Sequence, residues 1–144
     1  MDQKDYQASI AVQADAKKAF NDVCHVSDWW AKNFTGASQK LNDVFTVRFG
    51  ETFVTFRLTE AVPGKKVVWL VTDCNLHWLK DKKEWRGTSV VFEFSETAGE
   101  TRIRMTHRGL VPGIECFPDC KKGWDGFIKE SLPNLVNMGK GMPE

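Results

Sequence analysis

Between Phe34 and Leu110 the chain passes through one β-branched or aromatic stretch after another, and the links between them are short or polar. "VFTVRFG" and "TFVTFRLTEA" meet at Gly50-Glu51, a spacing that suits a tight hairpin. A turn at Pro63-Gly64 leads into "VVWLVTD", a polar connection from Cys74 to Glu84 precedes "TSVVFEFSE", and Ala98-Gly99 turns the chain into "TRIRMTHRGL". Parallel strands need crossovers of a dozen or more residues, commonly a helix, and none intervenes here. The pattern therefore predicts an antiparallel meander. Alternation assigns the faces. Val90, Phe92 and Phe94 share one side of their strand, and Ile103, Met105 and His107 share one side of the next, opposite Arg102, Arg104 and Arg108. Arginines belong in water, so His107 points inward among apolar residues. The same logic puts Phe45, Val47, Phe49, Val54, Phe56 and Leu58 inside and leaves Arg48 and Arg57 on the wet face. The opposite assignment, with an arginine clamping a ligand carboxylate, fits the period less well.

The two ends change period. "YQASIAV" alternates as a half-buried strand, with Tyr6, Ala8, Ile10 and Val12 on one face. Asp15 then reads as the N-cap of a short helix carrying Ala16, Ala19, Phe20 and Val23, and Ser27 reads as the cap of a second carrying Trp29 and Trp30. Near the C-terminus, "GWDGFIKESLPNLV" (123–136) gathers Trp124, Phe127, Ile128, Leu132, Leu135 and Val136 on one side of a helix. Pro133 interrupts it, with a cost of about 3 kcal/mol in a straight helix because the ring clashes with the Lys129 carbonyl. It implies either a kink that follows the sheet or a break between two helices. Gly126 costs roughly 1 kcal/mol relative to Ala and serves either a close backbone approach or no purpose beyond facing solvent.

A length of 144 residues suits one domain, 1–144, and a net charge of +1 argues against a nucleic-acid surface. "KDKKEWR", Lys80 to Arg86, reads as a solvated hairpin. The start "MDQKDYQASIAV" has no apolar core behind a basic stretch, and no run is long enough to cross a membrane, so a cytoplasmic protein without membrane insertion is expected. Cys24, Cys74, Cys116 and Cys120 are then expected as reduced thiols. Cys24-His25, Cys74-x-x-His77 and Cys116-x-x-x-Cys120 are fragments of a metal site without four convergent ligands, so no metal is expected, and no cofactor either. Phosphate-binding glycine loops, HExxH and GxSxG are absent.

The order of one strand, two short helices, an antiparallel run and a long terminal helix resembles the α+β helix-grip fold of the START-like (SRPBCC) superfamily. "ADAKKAF" after the first strand, the Trp29-Trp30 pair, "VPGKKVVW", "TRIRMTHRGL" and a helix opening at Gly123-Trp124 are similar to the branch named after the activator of the heat-shock-protein-90 ATPase. The resemblance covers the whole chain. It implies a curved antiparallel sheet wrapped around the terminal helix, with a cavity that in many relatives receives an apolar or amphipathic molecule.

On this reading the cavity-lining candidates are Trp30, Phe56, Trp69, Phe92, Met105, His107, Trp124, Phe127 and Ile128, though the same aromatic residues would also serve an ordinary core. His107 is the candidate proton shuttle, or else a histidine satisfied by hydrogen bonds within the core. The expected function is a small soluble protein, monomeric or homodimeric, that binds a hydrophobic or amphipathic small molecule. The alternatives are a cyclase-, aromatase- or hydrolase-like enzyme using the same cavity, and a module that contacts a chaperone.

Overall fold

In a computed structural model that describes residues 4–144, seven strands form one antiparallel sheet in the order β1-β7-β6-β5-β4-β3-β2. They are β1 Tyr6–Val12, β2 Asn33–Gly36, β3 Val44–Phe49, β4 Thr52–Val62, β5 Lys66–Asn75, β6 Ser89–Thr97 and β7 Glu100–Arg108. The meander runs from β2 to β7, and β1 closes it by pairing with β7, Tyr6 opposite His107. Two short helices, α1 Ala16–Cys24 and α2 Val26–Trp29, lie between β1 and β2. The terminal helix packs across the sheet's inner face, which gives the α+β helix-grip fold.

Inward rows fall where the alternation puts them. Phe45, Val47, Phe56, Leu58, Phe92, Ile103, Met105 and His107 are buried, whereas Arg48, Arg57, Arg102, Arg104 and Arg108 are exposed. Two register shifts bend the sheet. An extra residue on β5, Thr72, lies between the Phe56–Val71 and Thr55–Asp73 pairs, and an extra residue on β4, Thr59, lies between the Leu58–Trp69 and Glu60–Val68 pairs. Each bulge adds twist and switches the inward row by one residue, so β5 buries Val67, Trp69 and Val71 and then Cys74.

Asp15 caps α1 as expected, its Oδ1 accepting from the Lys18 N–H at 2.8 Å. For α2 the cap is His25 and not Ser27, which lies inside the helix. The segment Lys80–Arg86 is not a solvated hairpin. It belongs to a compact loop that buries Leu76, Leu79 and Trp85, because carboxylates lock it to the start of the terminal helix. Glu115 accepts from the Lys80 and Asp81 N–H groups, and Glu84 accepts from the Glu115 and Cys116 N–H groups at 3.1 and 2.8 Å. Those backbone donors hold the Glu115 carboxyl below the usual carboxylate range.

The terminal helix begins at Phe117, six residues before Gly123, with Pro118 in its first turn. It runs as α3 Phe117–Gly126, a π-helical turn Phe127–Ser131 and α4 Leu132–Met138, a continuous 22 residues. The Leu132 N–H reaches back five residues to the Phe127 carbonyl. This wider turn answers the proline question. Pro133 has no donor and crowds the carbonyl four residues earlier, and loosening the preceding turn relieves that contact without ending the helix.

The four cysteines are not all free thiols. Cys116 and Cys120 form a disulfide across the first turn of the helix, with Cα atoms 5.5 Å apart, while Cys24 and Cys74 are free and buried. A spacing of four puts both sulfurs on one helix face, within disulfide reach.

Gly126 makes no close approach: an added Cβ would meet nothing within 4 Å, and its φ of −65° is helical. Gly126→Ala is therefore expected to stabilise the protein by about 0.5–1 kcal/mol, chiefly by restricting the unfolded chain. Urea unfolding checks this. A loss of stability would mean that the backbone at Gly126 is packed and not open.

Candidate functional site

The interior between sheet and helix is filled by aromatic rings. Trp69 is fully buried and contacts Phe92 at 4.9 Å, Phe45 at 5.2 Å and Phe56 at 5.6 Å between ring centroids. Trp30 lies parallel to Trp69 at 6.2 Å and meets Trp124 of the terminal helix at 4.8 Å. Trp124 in turn stacks on Trp85 of the 76–87 loop at 6.1 Å. Such offset and tilted contacts contribute about 0.5–1.5 kcal/mol each beyond area burial. Together they make a ladder from the centre of the sheet to the N-terminal end of the helix.

Where the ladder ends, the packing opens into a cleft of about 360 Å³ between α3, the 76–87 loop and the β3–β4 hairpin. Trp30, Trp85 and Trp124 form its back wall, Phe49, Val54, Leu76 and Phe127 its sides, and the half-exposed Trp78 stands at its mouth. Thr52, Asp119 and Glu144 provide its polar atoms, and Gly123 leaves room along α3, since an added Cβ there would touch nothing within 4 Å.

Of the nine residues that the sequence nominates, the structure brings Trp30, Trp124 and Phe127 to this cleft. Phe56, Trp69, Phe92, Met105, His107 and Ile128 are fully buried in the closed core behind it. The bulges and the dense ring packing leave no space under the middle of the helix, so the open volume sits at one end. Trp85, Trp78, Leu76, Phe49 and Val54 escaped selection. Phe49 and Val54 were readable as inward residues at the hairpin end, but Trp85 lies in a stretch whose charges suggest solvent. The indole N–H groups of Trp85 and Trp69 are buried without a hydrogen-bond partner. Because Trp69 lies in the closed core, this shared feature marks dense aromatic packing and not the cleft itself.

His107 connects sheet, helix and loop. The Trp124 indole N–H donates to His107 Nδ1 at 3.1 Å, which makes Nδ1 the bare nitrogen and places the proton on Nε2. Nε2–H then donates to Thr88 Oγ1 at 2.9 Å, and the Thr88 hydroxyl donates to the Trp85 carbonyl at 2.6 Å. Burial, which disfavours the charged ring, pushes the His107 pKa down to about 3. With both nitrogens bonded and no place in the lining of the cleft, His107 holds the wall from behind.

Two more contacts seat the helix. The Tyr6 phenol donates to Asp125 Oδ1 at 2.6 Å, and burial together with that carboxylate holds the phenol well above its ordinary pKa. The Ser131 hydroxyl donates to the Trp29 carbonyl at 2.6 Å. Among the described residues no three His, Cys, Asp or Glu side chains converge as a metal site, and no helix is long and apolar enough to cross a membrane.

A curved sheet around one long helix, with an apolar cleft at the helix end, defines a START-like helix-grip protein. The chain belongs to the family described as activator of Hsp90 ATPase homolog 1-like protein, whose model matches residues 18–137. It is similar in structure to the Aha1 dimer from Colwellia psychrerythraea, with a TM-score of 0.77, 22% identity and coverage of 98% of this chain and 100% of that one. The protein SSP2350 from Staphylococcus saprophyticus matches with a TM-score of 0.71 at 12% identity, covering 96% and 95% of the two chains. DynU16, from the dynemicin biosynthetic locus, matches with a TM-score of 0.67 at 16% identity over 94% of this chain and 48% of its own. At these identities the likeness is one of fold. No curated protein matches the chain.

The His107 geometry has a pH consequence. Its folded pKa lies below the ordinary 6.5, so the unfolded chain binds a proton that the folded one refuses. The contribution is neutral above pH 6.5, and stability falls by at most about 1.4 kcal/mol per pH unit as pH drops from there towards 3. Nitrogen NMR of the imidazole is expected to show the Nε2–H tautomer unchanged from pH 8 to pH 4. A midpoint near 6.5 would contradict the buried relay.

Proposed function

We propose that the chain binds a hydrophobic or amphipathic small molecule in the cleft between α3, the 76–87 loop and the β3–β4 hairpin. The observation that carries this reading is the cleft itself: about 360 Å³ of space walled mainly by aromatic and aliphatic side chains in an otherwise filled core. Ligand sites have this size and this ratio of apolar wall to a few polar groups. Burying an apolar ligand there gains roughly 25 cal/mol per Å² of surface removed from water.

An enzyme would need titratable groups converging on the space. The carboxylates stand at the rim, and the one inward imidazole is sealed behind Trp85 and Trp124. The chaperone-directed reading draws on the family description alone, since the exposed large apolar residues Leu41, Val44, Val62, Trp78, Met138 and Met142 are spread over loops, β3, β4, α4 and the segment after it. A cytoplasmic setting and a monomer or homodimer complete the proposal. The homodimer draws on the Colwellia relative, which is a dimer.

Titration with a neutral apolar fluorophore such as N-phenyl-1-naphthylamine tests this reading. Binding is expected to saturate at one site and raise the melting temperature, stabilising the fold by about 2.7 kcal/mol at a hundredfold excess over Kd. Gly123→Phe should fill the cleft and abolish binding while the protein stays folded. Met105→Trp, in the closed core, should instead overpack and cost about 1–3 kcal/mol. Absence of saturable binding, or binding indifferent to Gly123→Phe, would refute the assignment.

A further inference from the structure

We infer that the ligand of this cleft is an apolar cation, an alkylated ammonium carrying a hydrocarbon chain; the inference rests on the reading of the cleft as a ligand site and adds the sign of the ligand's charge. Four of the protein's six tryptophans, Trp30, Trp78, Trp85 and Trp124, line the space. Indole rings carry negative charge density on their faces and attract cations more strongly than phenyl or phenol rings do. The charged residues that line the space are Asp119 and Glu144, both acidic, and no Lys, Arg or His shares the wall. Neither carboxylate takes part in an ion pair among the described residues. The groove beside it continues the same sign, with Glu130 added to Asp119 and Glu144 against the single Lys122.

The two features select in the same direction. Indole walls disfavour a strongly hydrated primary ammonium, which loses more water than they replace, and favour an alkylated one whose charge is spread over methyl groups. The acidic rim raises the local concentration of cations and opposes a carboxylate or sulfate head group placed beside it. A neutral amphiphile would fill the apolar volume but gain nothing from the rim. The ligand class the walls and rim fit together is therefore a medium-chain amphiphile with a quaternary or tertiary ammonium head at the Asp119 side and its chain against Leu76, Val54 and Phe49.

Calorimetric titration of the intact protein with octyltrimethylammonium, 1-octanol and octanoate, each below its micelle concentration, separates the charge from the chain. The cation is expected to bind about tenfold tighter than octanol, and octanoate weaker than octanol, with the spread narrowing as salt rises. Asp119→Asn should weaken the cation several-fold and octanol by much less; Asp119 is exposed in the first turn of α3, so the fold survives the change. Equal binding of all three, tightest binding of octanoate, or a cation preference unchanged in both Asp119→Asn and Asp119→Asn/Glu144→Gln would overturn the inference while leaving the cleft a ligand site. Failure of all three to bind would instead remove the site itself.

Discussion

The bond from the Trp124 indole to His107 Nδ1 ties the terminal helix to the sheet and, through Thr88, to the loop that carries Trp85. His107 and Thr88 each accept one bond and donate the next, between an indole that only donates and a carbonyl that only accepts, so the roles are fixed in sequence. The indole can only donate, so His107 must be neutral with its proton on Nε2, and Thr88 must pass its own proton to a carbonyl. A buried neutral hydrogen bond contributes about 0.5–1.5 kcal/mol net, whereas an orphaned partner costs about 1–3 kcal/mol, so the relay's weight lies in what its loss would leave unsatisfied. It also sets position. Trp124 and Trp85 stack as neighbouring wall panels because the same imidazole touches both.

From that fixed point the architecture divides into a closed part and an open part. The closed part is the ring packing around Trp69, with Met105, Ile103 and Ile128 completing it at full burial. The open part lies past Trp30, where Gly123 offers no side chain and the 76–87 loop stands off from the hairpin. The loop keeps this position through reciprocal carboxylate caps, Glu84 on the helix start and Glu115 on the loop backbone. The Cys116–Cys120 disulfide stiffens the same turn, and Cys120 faces the cleft. The grip is therefore rigid where it is filled and braced where it is open.

Much of this was legible in the residues. Alternation in "TSVVFEFSE" and "TRIRMTHRGL" predicts the inward rows and the burial of His107, and Asp15 announces the start of α1. What escaped has definite physical causes. The bulges at Thr59 and Thr72 each shift the side-chain period by one residue, and a pattern read with strict period two cannot register them. β2 is a short edge strand with little burial, so its four residues carry no alternation signal. The start of the terminal helix at Phe117 was hidden because Pro118 and the polar run Asp119 to Gly123 carry little apolar period, and because the backbone leading into it is held by Glu84, 32 positions from Cys116. Trp85 stood among lysines, and its loop is held in place by contacts between its own Glu84 and the helix start and between the distant Glu115 and the loop backbone. For the site, periodicity identifies what faces inward. Whether an inward side chain meets a void or another ring depends on three-dimensional packing, which is why six of nine nominated residues lie in the solid core.

The cleft at the end of the grip offers a partner indole walls, an acidic rim and a missing side chain at Gly123. The central claim is that ligand space exists at that end and nowhere under the helix. Anomalous diffraction from crystals soaked with 8-bromo-1-octanol tests it most directly, because the bromine reports its own position. The account predicts one ordered bromine site bounded by Trp30, Trp85, Trp124 and Leu76. A bromine peak beside Trp69 and Phe92, or none in the cleft at saturating probe, would contradict it.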